Sequence, residues 1–143
     1  MTVTNSNSSK SIFGFLTELS ASKVKEAGNL GRAKWELKAD LLYHSRAYGL
    51  VIVPTGFITD FASVPRLPLA YWLTGDTAHA SAAVHDYLVR VNYIQGEISW
   101  KDAAKVFSEA MKDEGVPAWR RVLMTLAVKL KGENTRNNST DTE

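Results

Sequence analysis

Four residues of this chain have the types and spacing of a water-activating site: His85, Asp86, Asp102 and Asp60. His85 and Asp86 are adjacent in the run SAAVHDYLVR. On a helix, neighbours point about 100° apart, so His85 turns to one surrounding element and Asp86 to another. Asp102 stands in a second run, KDAAKVF, and is followed by two alanines. Ala82 and Ala83 on one helix, with Ala103 and Ala104 on the next, let two antiparallel helices approach closely. That approach places Asp102 next to His85. A carboxylate bonded to one imidazole nitrogen fixes the tautomer and raises the basicity of the other. The free nitrogen then takes a proton from water. Asp86, joined by Asp60 from the preceding loop, offers hard oxygen ligands to a divalent cation. Such a cation polarises an ester carbonyl and stabilises its oxyanion. Ser63, Arg66 and Tyr87 are the polar neighbours that support this set. The same residues also fit a structural hydrogen-bond network that pins helix to loop. The other histidines, His44 near a strand end and His79 in a first helical turn, read as surface residues.

Three stretches together resemble an uncharacterised family of small phage and prophage proteins, a domain of unknown function. They are GFITDFASVPR (Gly56–Arg66), AAVHDYLVR (Ala82–Arg90) and KDAAKVFSEAM (Lys101–Met111). The resemblance covers about Val53 to Gly115. It implies a phage or prophage origin, and with it the host cytoplasm or the virion, but no particular activity. AAVHDYL followed by an Asp-Ala-Ala helix more distantly resembles the catalytic helix pair of phospholipases A2. In that family the His is the general base, the Asp after it binds calcium, and a later Asp orients the His. Carried over, these are His85, Asp86 and Asp102, and the substrate is a phospholipid ester. That family has a glycine-rich calcium loop shortly before the His. The matching stretch here, Asp60–Leu67, holds no glycine, so Asp60 would replace backbone carbonyl ligands.

The elements that must position these residues change character midway. From Ile12 to Ile58 the pattern favours strands. Phe13, Phe15, Leu16 and Leu19 form one short apolar segment. Trp35, Leu37, Ala39 and Leu41 alternate with charged residues, the period of a half-buried strand. Tyr48–Val53 is an apolar run closed by Pro54 and Gly56. These three strands suggest an antiparallel meander, with a turn at Gly28, Asn29 and Gly31. After Pro68 three helices are expected. The first covers Ala78–Val91, capped by Asp76 or Thr77. The second is capped by Ser99 and ends at Gly115. The third starts at Pro117, has an apolar face that includes Val122, Leu123, Leu126, Ala127 and Leu130, and ends at Gly132. Strands first and helices after make an α+β domain. Between them, Pro54–Gly75 is too apolar for a disordered linker and reads as a long ordered loop of functional type. Asp60 lies in it between Phe57 and Phe61.

Composition bounds the rest. With 143 residues the chain suits one domain, since domains run about 100–200 residues. Residues 1–9 and 133–143 have almost no large apolar side chains and read as disordered tails around a 10–132 domain. The absence of cysteine excludes a thiolate nucleophile, a disulfide framework and cysteine-ligated metal. Net charge is only +2, with both signs interspersed, so no nucleic-acid partner is indicated. Arg120, Arg121, Lys129 and Lys131 on the last helix read as a solvated face. No apolar run is long enough to span a membrane, and the N-terminus lacks the layout of a signal peptide. Two functions follow. One is a phospholipase A2-like hydrolase using His85 and Asp102, with calcium at Asp86 and Asp60. The other is a non-enzymatic phage structural or accessory protein that binds a virion or host protein through Tyr71–Trp72 or the faces around Trp100 and Trp119.

Overall fold

The computed structural model describes residues 11–24, 34–60 and 78–140, with side chains through residue 133. Its six strands are short: β1 Gly14–Phe15, β2 Ala21–Lys23, β3 Trp35–Leu37, β4 Leu41–Ser45, β5 Gly49–Val53 and β6 Ile58–Thr59. They form two antiparallel sheets, ordered β1-β4-β5 and β2-β3-β6. The single meander expected from the sequence is thus divided. The division falls inside the alternating stretch Trp35–Leu41, which is two strands and not one. Asp40 sits at the break, and its Oδ1 accepts from both the backbone N–H and the hydroxyl of Thr55 at 2.7 Å. That bond clamps the chain between β3 and β4 to the turn after β5. In β4 the alternation is regular: Leu41, Tyr43 and Ser45 are buried, and Leu42 and His44 are less so.

Three helices follow: α1 His79–Tyr87, α2 Trp100–Asp113 and α3 Ala118–Thr140. A π-helical segment, Leu88–Asn92, continues α1. The main core lies between sheet β1-β4-β5, α1 and the inner side of α2. It includes Leu41, Tyr43, Val53, Val84, Leu88, Ala103 and Val106. Ala83, Ala103 and Ala110 are fully buried, so small residues do set the close α1–α2 packing. A second cluster, with Phe107, Met111, Met124 and Val128, joins α2 to α3.

The helix ends explain how the layers are fixed. Ser99 caps α2 by accepting the Asp102 N–H at 3.0 Å. At the other end Gly115 takes φ +89, which favours glycine. Its N–H bonds to Lys112 and the Val116 N–H bonds to Met111, the two bonds of a Schellman motif. The helix α1 has no side-chain cap of its own at Ala78. Its first N–H groups turn instead to Glu114, at the end of α2. The Glu114 carboxylate accepts from Ala80 N (3.1 Å), Ser81 N (3.0 Å) and the Ser81 hydroxyl. The expected caps Asp76 and Thr77 lie outside the described residues, as does the expected turn at Gly28–Gly31.

Gly132 does not end the third helix, which runs on to Thr140. Its role is close approach. A β-carbon at Gly132 would overlap the Trp100 indole, whose Nε1 donates to the Val128 carbonyl at 2.8 Å. The apolar face expected to be the core of this helix is also turned around. Met124 and Val128 are buried against α2, while Val122, Leu123, Leu126 and Leu130 face out.

Gly132→Ala therefore destabilises, although alanine ordinarily favours a helix interior. The expected loss is about 1–3 kcal/mol from overpacking. A denaturant melt checks it, and an unchanged or raised midpoint contradicts the packing. Glu114→Ala should cost about 1–3 kcal/mol, because it leaves buried α1 donors unpaired, and Glu114→Gln less. Equal stability of Glu114→Ala and the wild-type chain would refute the cap.

Candidate functional site

The face of α1 towards α2 carries His85, and the next face carries Asp86. His85 is only 2% exposed. Its ring packs at 4.8 Å from the Phe107 ring and edge-on to Trp100 at 6.4 Å, both from α2. Among the described residues neither ring nitrogen has a hydrogen-bond partner. Burial, with a smaller push from the positive charge of Lys131, lowers its pKa to about 4. His85 is therefore a neutral imidazole at neutral pH.

Asp102 does not bond to His85. Its carboxylate accepts from the Ser99 hydroxyl at 2.8 Å and lies 3.9 Å from Lys105, with its side chain 57% exposed. The reason is helical phase. Trp100, Ala103 and Phe107 point inward, and Asp102 falls about 140° from Phe107 at 3.6 residues per turn. The run Ser99-Trp100-Lys101-Asp102 has the spacing of a capping box, and that signal explains Asp102. A cleft of about 300 Å³ opens beside it, walled by Tyr48, Glu97, Ser99, Asp102 and Lys105, but by none of His85, Asp86 or Asp60.

Asp86 does face the chain around Asp60. It hydrogen-bonds to Thr59, a fully buried residue of β6, and its Oδ2 lies 3.2 Å from Arg90 Nη1 one turn on. Burial raises its pKa. Thr59 and Arg90 oppose that rise, and the nearby charge of Asp60 adds to it. Arg90 also donates to the Ile58 carbonyl at 2.7 Å and stacks 4.9 Å over the Phe57 ring. Tyr87 packs edge-on against Phe57 at 5.4 Å. Arg90 and Thr59 were not among the residues singled out from the sequence. The i,i+4 pair Asp86–Arg90 was the signal for the first. Ser63 and Arg66 lie outside the described residues.

Two groups thus stand apart around α1, an apolar His85 niche and a polar Asp86–Thr59–Arg90–Asp60 clasp. The clasp has two carboxylates, and one is already held by an arginine. Calcium takes six to eight oxygens. Among the described residues there is no group of three or more His, Cys, Asp or Glu able to hold a metal ion. The described donors therefore do not fit calcium. What the clasp does is tie α1 to β6. No helix among the described residues is long and apolar enough to cross a membrane.

The sequence model of a family described as "Protein of unknown function (DUF1353)" matches residues 35–128. No curated protein and no solved structure matches the chain. The matched segment runs from β3 into α3 and includes His85, Asp86, Arg90 and Asp102.

The buried imidazole sets a pH dependence. The folded pKa of His85, about 4, lies below the ordinary 6.5. On acidification the unfolded chain takes this proton first, so the contribution is complete above pH 6.5 and is lost as pH falls towards 4. It amounts to about 3 kcal/mol at most. Asp86 acts in the opposite sense, because its raised pKa favours the protonated folded chain in the carboxylate range. His85→Leu removes the titration and both unpaired nitrogens, so it should match or exceed wild-type stability at pH 7. It should also flatten the decline between pH 6.5 and 4.5. Parallel declines in the two proteins would exclude His85 as the cause.

Proposed function

The chain belongs to the DUF1353 family, and we propose that it is a non-catalytic binding protein that docks another protein chain on the outward face of α3. The setting is a phage particle or a prophage-encoded assembly, as the motifs around Gly56–Arg66, Ala82–Arg90 and Lys101–Met111 imply. The observation that carries this reading is the row Trp119, Val122, Leu123, Leu126 and Leu130. These five side chains are between 45% and 64% exposed. They lie on the side of α3 opposite Met124 and Val128, which already fill the contact with α2. Isolated exposed apolar residues are ordinary, but a contiguous row of five on one helix marks an interaction surface. Its residues recur at the i, i+3, i+4 spacing by which helices pack.

A hydrolase remains the second reading, and one observation favours it. The His85 nitrogens are committed to no partner among the described residues, as a base awaiting substrate would be. Against it stand the sealed niche, the separation of Asp102 and the absence of His85 from the cleft.

Fatty-acid release from mixed phospholipid vesicles, with and without calcium, separates the two. The expected result is no release above the protein-free blank in either condition. Release that disappears in His85→Gln, while that variant keeps its melting profile, would overturn the binding reading in favour of the hydrolase.

A further inference from the structure

The flanks of the α3 row are charged, and their sign bears on the partner. At about 100° per residue, Arg120 and Lys131 run along one flank and Lys129 along the other. Among the described residues Arg120 and Lys129 make no ion pair. The Arg120 guanidinium rests 5.2 Å over the Trp119 ring, which holds it beside the row. Glu133 is the one acidic residue on this side, exposed at the C-terminal end of the row.

From this, and resting on the binding reading above, we infer that the α3 face takes an amphipathic helix of a different protein, with apolar knobs along its centre and Asp or Glu on its flanks. Three features argue for that occupant. The row is about 100° wide, the width of a stripe that one helix covers. The flanks are cationic, so an acidic helix gains complementary charge on both sides. A second copy of this chain does not, because it would set one cation-rich flank against another. An anionic bilayer would satisfy the cations. It would also draw Glu133, which lies in line with Leu126, to a negative surface. The contact of a single row is at the small end of protein interfaces, below about 1,200 Å², as suits an accessory that engages and releases.

The test uses the full chain and two synthetic peptides of about 20 residues, long enough to form a helix on binding. Both carry leucine at the heptad a and d positions. One has glutamate at the flanking positions and the other lysine. Intrinsic Trp119 fluorescence or calorimetry reads the binding. The acidic peptide should bind at least tenfold tighter than the basic one, and added salt should narrow the gap. Leu126→Asp should abolish binding of the acidic peptide without lowering the melting temperature. Arg120→Glu combined with Lys129→Glu should reverse the preference. Equal binding of both peptides, lost in Leu126→Asp, overturns the acidic partner while leaving the docking face in place. Binding of neither peptide overturns the inference. So does a dimer in sedimentation that Leu126→Asp dissolves, which would make a second copy the occupant. Co-sedimentation with phosphatidylglycerol vesicles in place of peptide binding would make the occupant a membrane. Fatty-acid release requiring His85 would instead sink the reading on which the inference rests.

Discussion

The N-terminus of α1 is the constraint on which the described fold turns. Ala80 to Asp86 are buried without a break, so the first N–H groups of that helix have little water to bond. No side chain at its own N-cap serves them. A carboxylate from elsewhere must do so, and Glu114 is placed for it by the Schellman turn that ends α2. One turn thus terminates one helix and caps another. The negative charge also lies at the positive end of the α1 dipole, where it is worth most in a partly buried site. The antiparallel α1–α2 pair is held in register by this end, and its small-residue contact follows. At the far end of α1 the Asp86–Thr59–Arg90 clasp binds the same helix to β6.

That register decides what His85 can do. Fixing α1 against α2 places the imidazole between Phe107 and Trp100, and the Trp100 indole is itself locked by Val128 and the missing β-carbon of Gly132. A base sealed in this way keeps its proton off but has no open path to water among the described residues. The arrangement stabilises packing at the expense of two unpaired nitrogens, which cost free energy when buried. The adjacent Asp86 has the reverse solution, with each of its burial costs met by a partner. Two neighbouring polar residues thus have opposite surroundings because a helix turns about 100° between them.

The order of strands and helices was legible because periodicity is a local signal, and the Ser99 and Gly115 boundaries followed from their capping chemistry. The facing of His85 to α2 and of Asp86 towards Asp60 followed from helical geometry alone. The pairing of Asp102 with His85 did not, because it assigned to tertiary contact a residue that local capping already explained. Drawing α2 with Ala103 and Phe107 inward would have turned Asp102 to solvent. The division of the meander at Asp40 was hidden for a different reason. It depends on a bond to Thr55, fifteen residues away, and no pattern within Trp35–Leu41 records it. Gly132 misled in the same manner, since a glycine that admits an indole and a glycine that ends a helix look alike in sequence.

The helix α3 carries two apolar rows, and period counting cannot say which one a protein buries. Val122, Leu123, Leu126 and Leu130 are the larger set, yet the contact with α2 uses Met124, Val128 and the notch at Gly132. The reason lies in α2. Trp100 projects far from its axis, and only a helix face with a gap at the matching height can come close enough to bury Phe107 and Met111. The leucine row has no such gap and is left outside. Its burial therefore adds nothing to the stability of this chain, and substitutions there should be nearly silent in folding. A surface that folding does not need, and that costs solubility when left bare, is best accounted for by what covers it.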